Sequence, residues 1–158
     1  MTRIVRDQET VRRWGADILK SKGMNSEKRF MQHGDISCYR HSLRVAARSV
    51  RLARWMRLHT DMSALVRGAL LHDYFLYDWH EKDASHRWHG FHHPSAALKN
   101  ASADFGLSAR ERDVIAKHMF PLTLRPPRFR ESWIVCLADK WCALEETLAV
   151  RLGLTLKE

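Results

Sequence analysis

Long apolar runs are missing from this sequence. No stretch stays apolar for the roughly 20 residues of a membrane-spanning helix, which argues against a membrane protein. The opening segment MTRIVRDQET is charged and lacks the apolar core of a secretory signal, so a cytoplasmic protein is expected. Cysteine is scarce too. Cys38, Cys136 and Cys142 are odd in number, show no CxxC spacing, and read as reduced, mostly buried thiols. No repeat, linker or low-complexity segment is visible. Strand signals are absent as well: apolar and polar residues never alternate over a sustained run, and no Asn-Gly turn occurs.

What the chain does contain is helix, positive charge and histidine. Its 158 residues suffice for one domain with a real core and are short for two. The formal net charge is +9, and ten histidines are present besides. A basic balance suits an anionic ligand such as a nucleotide, a phosphoester or RNA.

The periodicity predicts an amphipathic helix over 7–22, with Val11, Trp14 and Ile18 on one face and a stop at Gly23. A second helix is expected from Asn25 to about His33. Residues 37–58 form the longest candidate, with a basic stripe of Arg40, Arg44, Arg48 and Arg51 opposite Val45, Leu52 and Met56. A helix over 62–75 aligns Leu65, Ala69 and His72. The next, over 94–105, has Pro94 at its first position and Gly106 just past its end, which makes His93 its cap residue. SARE at 108–111 is a capping box that opens a helix carrying Val114 and His118 and ending before Pro121. The last helix, about 131–150, is apolar nearly all round yet contains Asp139. Together these elements predict an all-α bundle of about six to seven helices.

Several polar residues are turned inward by these patterns: His41, His72, Asp73, His118 and Asp139, with His93 at a helix start. Singly, each has an ordinary explanation as a hydrogen-bonded or salt-bridged core residue. Collectively they come from different helices that share one small core. Burying a carboxylate costs several kcal/mol unless it is compensated. A cation supplies that compensation for Asp73 and Asp139, and mixed nitrogen and oxygen donors suit Zn, Fe, Mn or Ni better than Ca or Mg.

The order His41 … His72-Asp73 … Asp139, set in YRHSLRVA, ALLHD and LADK, resembles the HD-domain superfamily of metal-dependent phosphohydrolases over roughly residues 35–145. The resemblance implies a single HD-type helical domain over 1–158, its N-terminal helices (1–33) packing on a core of 35–150. It also implies a first metal held by His41, His72, Asp73 and Asp139. Members with two metals have two further histidines, and His93 in FHHP and His118 in AKHMFP stand at the matching places. Asp73 would then bridge the ions. His92 is the competing choice for His93, which is preferred because a residue just before a helix-starting Pro can project into the bundle.

The implied activity is hydrolysis of a phosphoester or phosphoanhydride in a nucleotide or similar small phosphorylated substrate. It would proceed through a metal-bound hydroxide, with one or two divalent ions of Fe, Mn, Zn or Ni as cofactor. Asp73 and Lys140 are the expected catalytic residues, and Lys140, Arg125 and Arg128 the expected phosphate contacts, with Arg130 also near. His33, His80, His86, His89 and Asp78 are candidates for the cleft mouth. Where the branch that hydrolyses cyclic di-GMP carries Gly-Tyr-Pro, this chain reads KHMFPLTL. The enzymes that split dinucleoside tetraphosphates share the ligand set more closely. Two alternatives stand beside phosphate hydrolysis: a di-iron oxygenase of the same ligand set, and a nucleic-acid-binding module built on the arginine stripe. No membrane partner is expected, and the oligomeric state stays open.

Overall fold

The computed structural model describes residues 2–33, 36–76 and 89–154. Of the residues considered for the cleft mouth, Asp78, His80 and His86 lie outside them, as do the side chains of His33 and His89.

Eight helices make up most of the described chain: α1 (Arg3–Trp14), α2 (Ala16–Lys20), α3 (Lys22–Ser26), α4 (Cys38–Trp55), α5 (Met62–Leu71), α6 (His89–Asp104), α7 (Ala109–Lys117) and α8 (Arg130–Leu152). The all-α expectation therefore holds. Helices α4, α5, α7 and α8 form the centre, with α1 packed on α4 and α5, and α6 on α7. Val45, Leu65, Leu70, Val114, Ile115 and Val135 are buried between them. None of the described helices is long and apolar enough to cross a membrane.

The N-terminal segment departs from expectation in instructive ways. The single helix expected over 7–22 is three, because the chain breaks at Gly15 and again at Ser21. A Cβ at Gly15 would stand 2.3 Å from Leu70 Cδ1, so close approach of α5 fixes glycine there. The break rotates the face: Val11 and Ile18 are buried, while Trp14 is 39% exposed. The expected helix over 25–33 is replaced by a 3₁₀ turn (Glu27–Arg29) and a two-stranded antiparallel ribbon, β1 (Met31–His33) with β2 (Ile36–Ser37). The Cys38 N–H extends the ribbon by donating to Phe30 O at 2.8 Å.

Local sequence explains the remaining boundaries. Ser37 caps α4 by accepting from the Arg40 N–H, Asp61 caps α5 by accepting from Ala64, and Ser108 and Glu111 form the capping box of α7. Helix α5 ends at Leu71, with His72 as its C-cap and Asp73 in the turn beyond. Helix α6 starts five residues before Pro94, so His93 lies inside the helix and is not its cap.

The arginine stripe of α4 is largely paired. Arg44 reaches Glu146 and Glu145, each at 3.0 Å, Arg48 reaches Glu145 at 2.8 Å, and Arg51 reaches Asp7 of α1 at 3.3 Å. Cations that looked available for a phosphate backbone instead hold α8 and α1 onto α4.

Candidate metal centre

Five helices deliver six side chains to one point. His41 comes from the second turn of α4, His72 and Asp73 from the end of α5, His93 from α6, His118 from the C-cap of α7, and Asp139 from the middle of α8. All six are buried. Two of the histidines close helices whose C-terminal carbonyls carry partial negative charge, which favours a cation there.

The side chains form two groups that share Asp73. In the first, Asp139 Oδ1 lies 3.0 Å from His41 Nε2 and 3.5 Å from His72 Nε2, and Asp73 Oδ2 lies 3.3 Å from His72 Nε2 and 3.8 Å from His41 Nε2. In the second, Asp73 Oδ1 lies 3.2 Å from His93 Nε2 and 3.4 Å from His118 Nε2. The two imidazole nitrogens of the second group stand 2.8 Å apart. Donor atoms that each hold one ion at about 2.0–2.2 Å are themselves about 3.0–3.5 Å apart, and most of the separations here fall in that range.

Orphaned atoms point the same way. His72 Nε2 and Asp73 Oδ1 are buried and have no hydrogen-bond partner among the described residues. A buried acceptor left this way costs about 1–3 kcal/mol, and a cation satisfies both atoms. The opposite ring nitrogens are occupied. His72 Nδ1 donates to Ala69 O at 2.7 Å and His118 Nδ1 donates to Ile115 O at 2.9 Å, so each ring, when neutral, turns its Nε2 lone pair inward. His41 Nδ1 is held by Glu146 Oε2 at 2.8 Å, the carboxylate–histidine pairing that orients metal ligands.

Burial would raise both carboxyls, but the imidazoles beside them hold Asp73 and Asp139 well below the usual carboxylate range. Burial would lower His41, yet its bonds to Asp139 and Glu146 outweigh that and hold it up at about 9. His72 is raised in the same way by Asp73 and Asp139. His118 is lowered, first by burial and then by the neighbouring His72 and His93.

Residues 38–144 match the family model of the HD domain. The chain is an HD-domain protein. Its metal-type cluster lies within that matched span, and HD domains bind divalent metals. No curated protein and no solved structure matches the chain.

Not every expected contact gathers at the HD cluster. Lys140 follows Asp139, but its ammonium donates to His118 O at 2.9 Å and to Cys136 Sγ at 3.2 Å, which ties α8 to the end of α7. Arg125 is exposed in the loop before α8. Arg128 and Arg130 line a cleft of about 470 Å³ with His59, Asp61 and Glu131 at the start of α8. That cleft is eight residues, about 12 Å of helix, from Asp139. This position takes Arg128 away from the cluster, because the loop closes over the opposite end of the bundle. His92 is exposed and His93 buried, which separates the two.

Three partners of the cluster escaped the sequence reading. Glu146 holds His41 and also accepts from Arg44 Nε. Gln32 Nε2, from the ribbon, donates to Asp73 Oδ2 at 2.7 Å, and Cys38 Sγ–H in turn donates to Gln32 Oε1 at 3.3 Å. Glu27 is buried beside this chain, accepts from the Leu76 N–H, and has a carboxyl that burial pushes up to about 8. A sign of Glu146 was present: it lies seven residues after Asp139, two turns along the same face.

Proposed function

We propose that this HD-domain protein is a binuclear metal-dependent phosphohydrolase acting on a nucleotide or another small phosphoester or phosphoanhydride. His41, His72, Asp73 and Asp139 hold one divalent ion in this reading, and Asp73, His93 and His118 hold the second. The observation that carries it is the division of labour at Asp73, whose two oxygens face two separate groups of imidazoles. A pair of divalent ions supplies an acidified water and neutralises phosphate oxygens during in-line displacement.

The chain's own residues prepare that chemistry. The carbonyls of Ala69 and Ile115 fix the tautomers of His72 and His118, and Glu146 fixes His41. Gln32 pins Asp73 Oδ2 and so sets the plane of the bridging carboxylate. Lys140 is exposed and uses two of its three donors on His118 and Cys136, which leaves one for a substrate phosphate.

The test is phosphate release from a panel of nucleotides, dinucleoside polyphosphates and a generic phosphodiester, with Mn, Fe, Zn and Ni in turn. Turnover is expected with at least one metal, falling by about two orders of magnitude or more in Asp73→Ala. Metal content is expected near two per chain, falling toward one in His118→Ala. A folded, metal-loaded protein that cuts nothing in the panel overturns the proposal, and oxygen uptake by an iron-loaded form would assign oxygenase chemistry instead.

A further inference from the structure

Helix α8 is apolar on two sides. One side is the core, with Ile134, Val135, Ala138 and Cys142. The other carries Trp133, Leu137, Trp141, Leu144, Leu148 and Leu152, each between 41% and 68% exposed. An apolar side chain of this size about half exposed leaves on the order of 100 Å² in water, so six make a stripe near 600 Å². That is the upper end of what a monomer carries, and most of the roughly 800 Å² per partner in a stable interface.

The spacing of the stripe names its occupant. Its steps are four, four, three, four and four residues, a series that reads the same in both directions. An antiparallel second α8 therefore meets it in register. Trp133 falls opposite Leu152, Leu137 opposite Leu148, and Trp141 opposite Leu144, and the two-fold repeats each pair. Both tryptophans thus meet a smaller leucine.

A lipid surface fits less well, because membrane-binding faces are edged by cations available to the headgroups. Here the middle of the edge is acidic as well as basic: Trp141 Nε1 donates to Glu145 Oε1 at 2.8 Å, and Glu145 holds Arg48, whose guanidinium lies 5.1 Å from the Trp141 ring centroid.

We infer that the exposed face of α8 is a homodimer interface in which two copies of the chain pair antiparallel about a two-fold axis.

Sedimentation of the full chain up to about 100 μM, where even a weak interface pairs, is expected to show a dimer. Leu144→Glu and Leu137→Lys, tested separately, should each weaken it roughly thirtyfold or more, with far-UV circular dichroism and metal content unchanged. Register is read by disulfide trapping, which needs Cα atoms within about 7 Å. Leu137→Cys mixed with Leu148→Cys should cross-link. Leu137→Cys alone should not, since its two copies would be eleven residues, about 16 Å, apart. A wild-type monomer throughout, a dimer indifferent to both substitutions, or cross-linking by Leu137→Cys alone overturns the inference. So does a monomer that binds phosphatidylserine-containing vesicles through this face.

Discussion

His41 presents Nε2 to the cluster because Glu146 holds its Nδ1, and Arg44 holds Glu146 in turn. Glu146→Gln keeps the shape but removes the charge that sets the tautomer. Mn²⁺ affinity measured by calorimetry should fall 10–100-fold, with the helical signal retained. Glu27 gives a different readout. Its carboxyl titrates at about 8 against 4.5 for the free group, because burial disfavours the anion. Below 4.5 both folded and unfolded chains are protonated. Between 4.5 and 8 only the unfolded chain ionises, so stability falls as pH rises through that window and levels off above it. Glu27→Gln should flatten this part of the urea-melt pH profile and stabilise the protein by roughly 1–3 kcal/mol at pH 8. At this scale the six clustered side chains were legible, since helical spacing turned His41, His72, His118 and Asp139 inward. Their supporting partners were not. Glu146 stands in LEET beside Glu145 and reads as one more solvated helix charge, and Gln32 belongs to a ribbon with no alternation to reveal it.

Helix α5 approaches α7 at Gly68, where an added Cβ would stand 2.8 Å from Val114 Cβ. Valine is stiff at χ1 and cannot swing aside. Gly68→Ala should therefore cost about 1–3 kcal/mol of overpacking by chemical denaturation, even though alanine is the better helix former. Elements with explicit stop and start chemistry were the readable ones. The Ser108–Glu111 capping box opens α7 where the sequence put it. The break at Gly15 was hidden because its cause is tertiary, the pressure of Leu70 from another helix. Likewise Pro94 looked like a helix start, yet α6 opens a turn and more earlier and carries proline in its interior. Local propensity yields to packing at Gly15.

Across the whole molecule, the cluster joins α4 through α8 at one point, so a bound ion stabilises the folded chain by mass action. At a hundredfold excess of metal over its dissociation constant, the gain is about 2.7 kcal/mol. Chelation should lower the melting temperature of the loaded protein by several degrees in differential scanning fluorimetry, and Asp73→Ala should erase the difference between chelated and loaded samples. The arginines of α4 have a structural duty at this scale too. They clamp α1 and α8 through Asp7, Glu145 and Glu146, so the formal charge of +9 overstates the cations left for a ligand.

His41 and Asp139 are separated by 98 positions along the chain and by 3.0 Å in space. An ion gripping both acts as a reversible staple across most of the polypeptide, closing a loop that the unfolded chain closes only at an entropic cost. Copies that load no ion would open more often, and open chains are what proteases degrade. Scarcity of metal would then show as loss of the protein itself, well beyond the loss of turnover in the copies that persist.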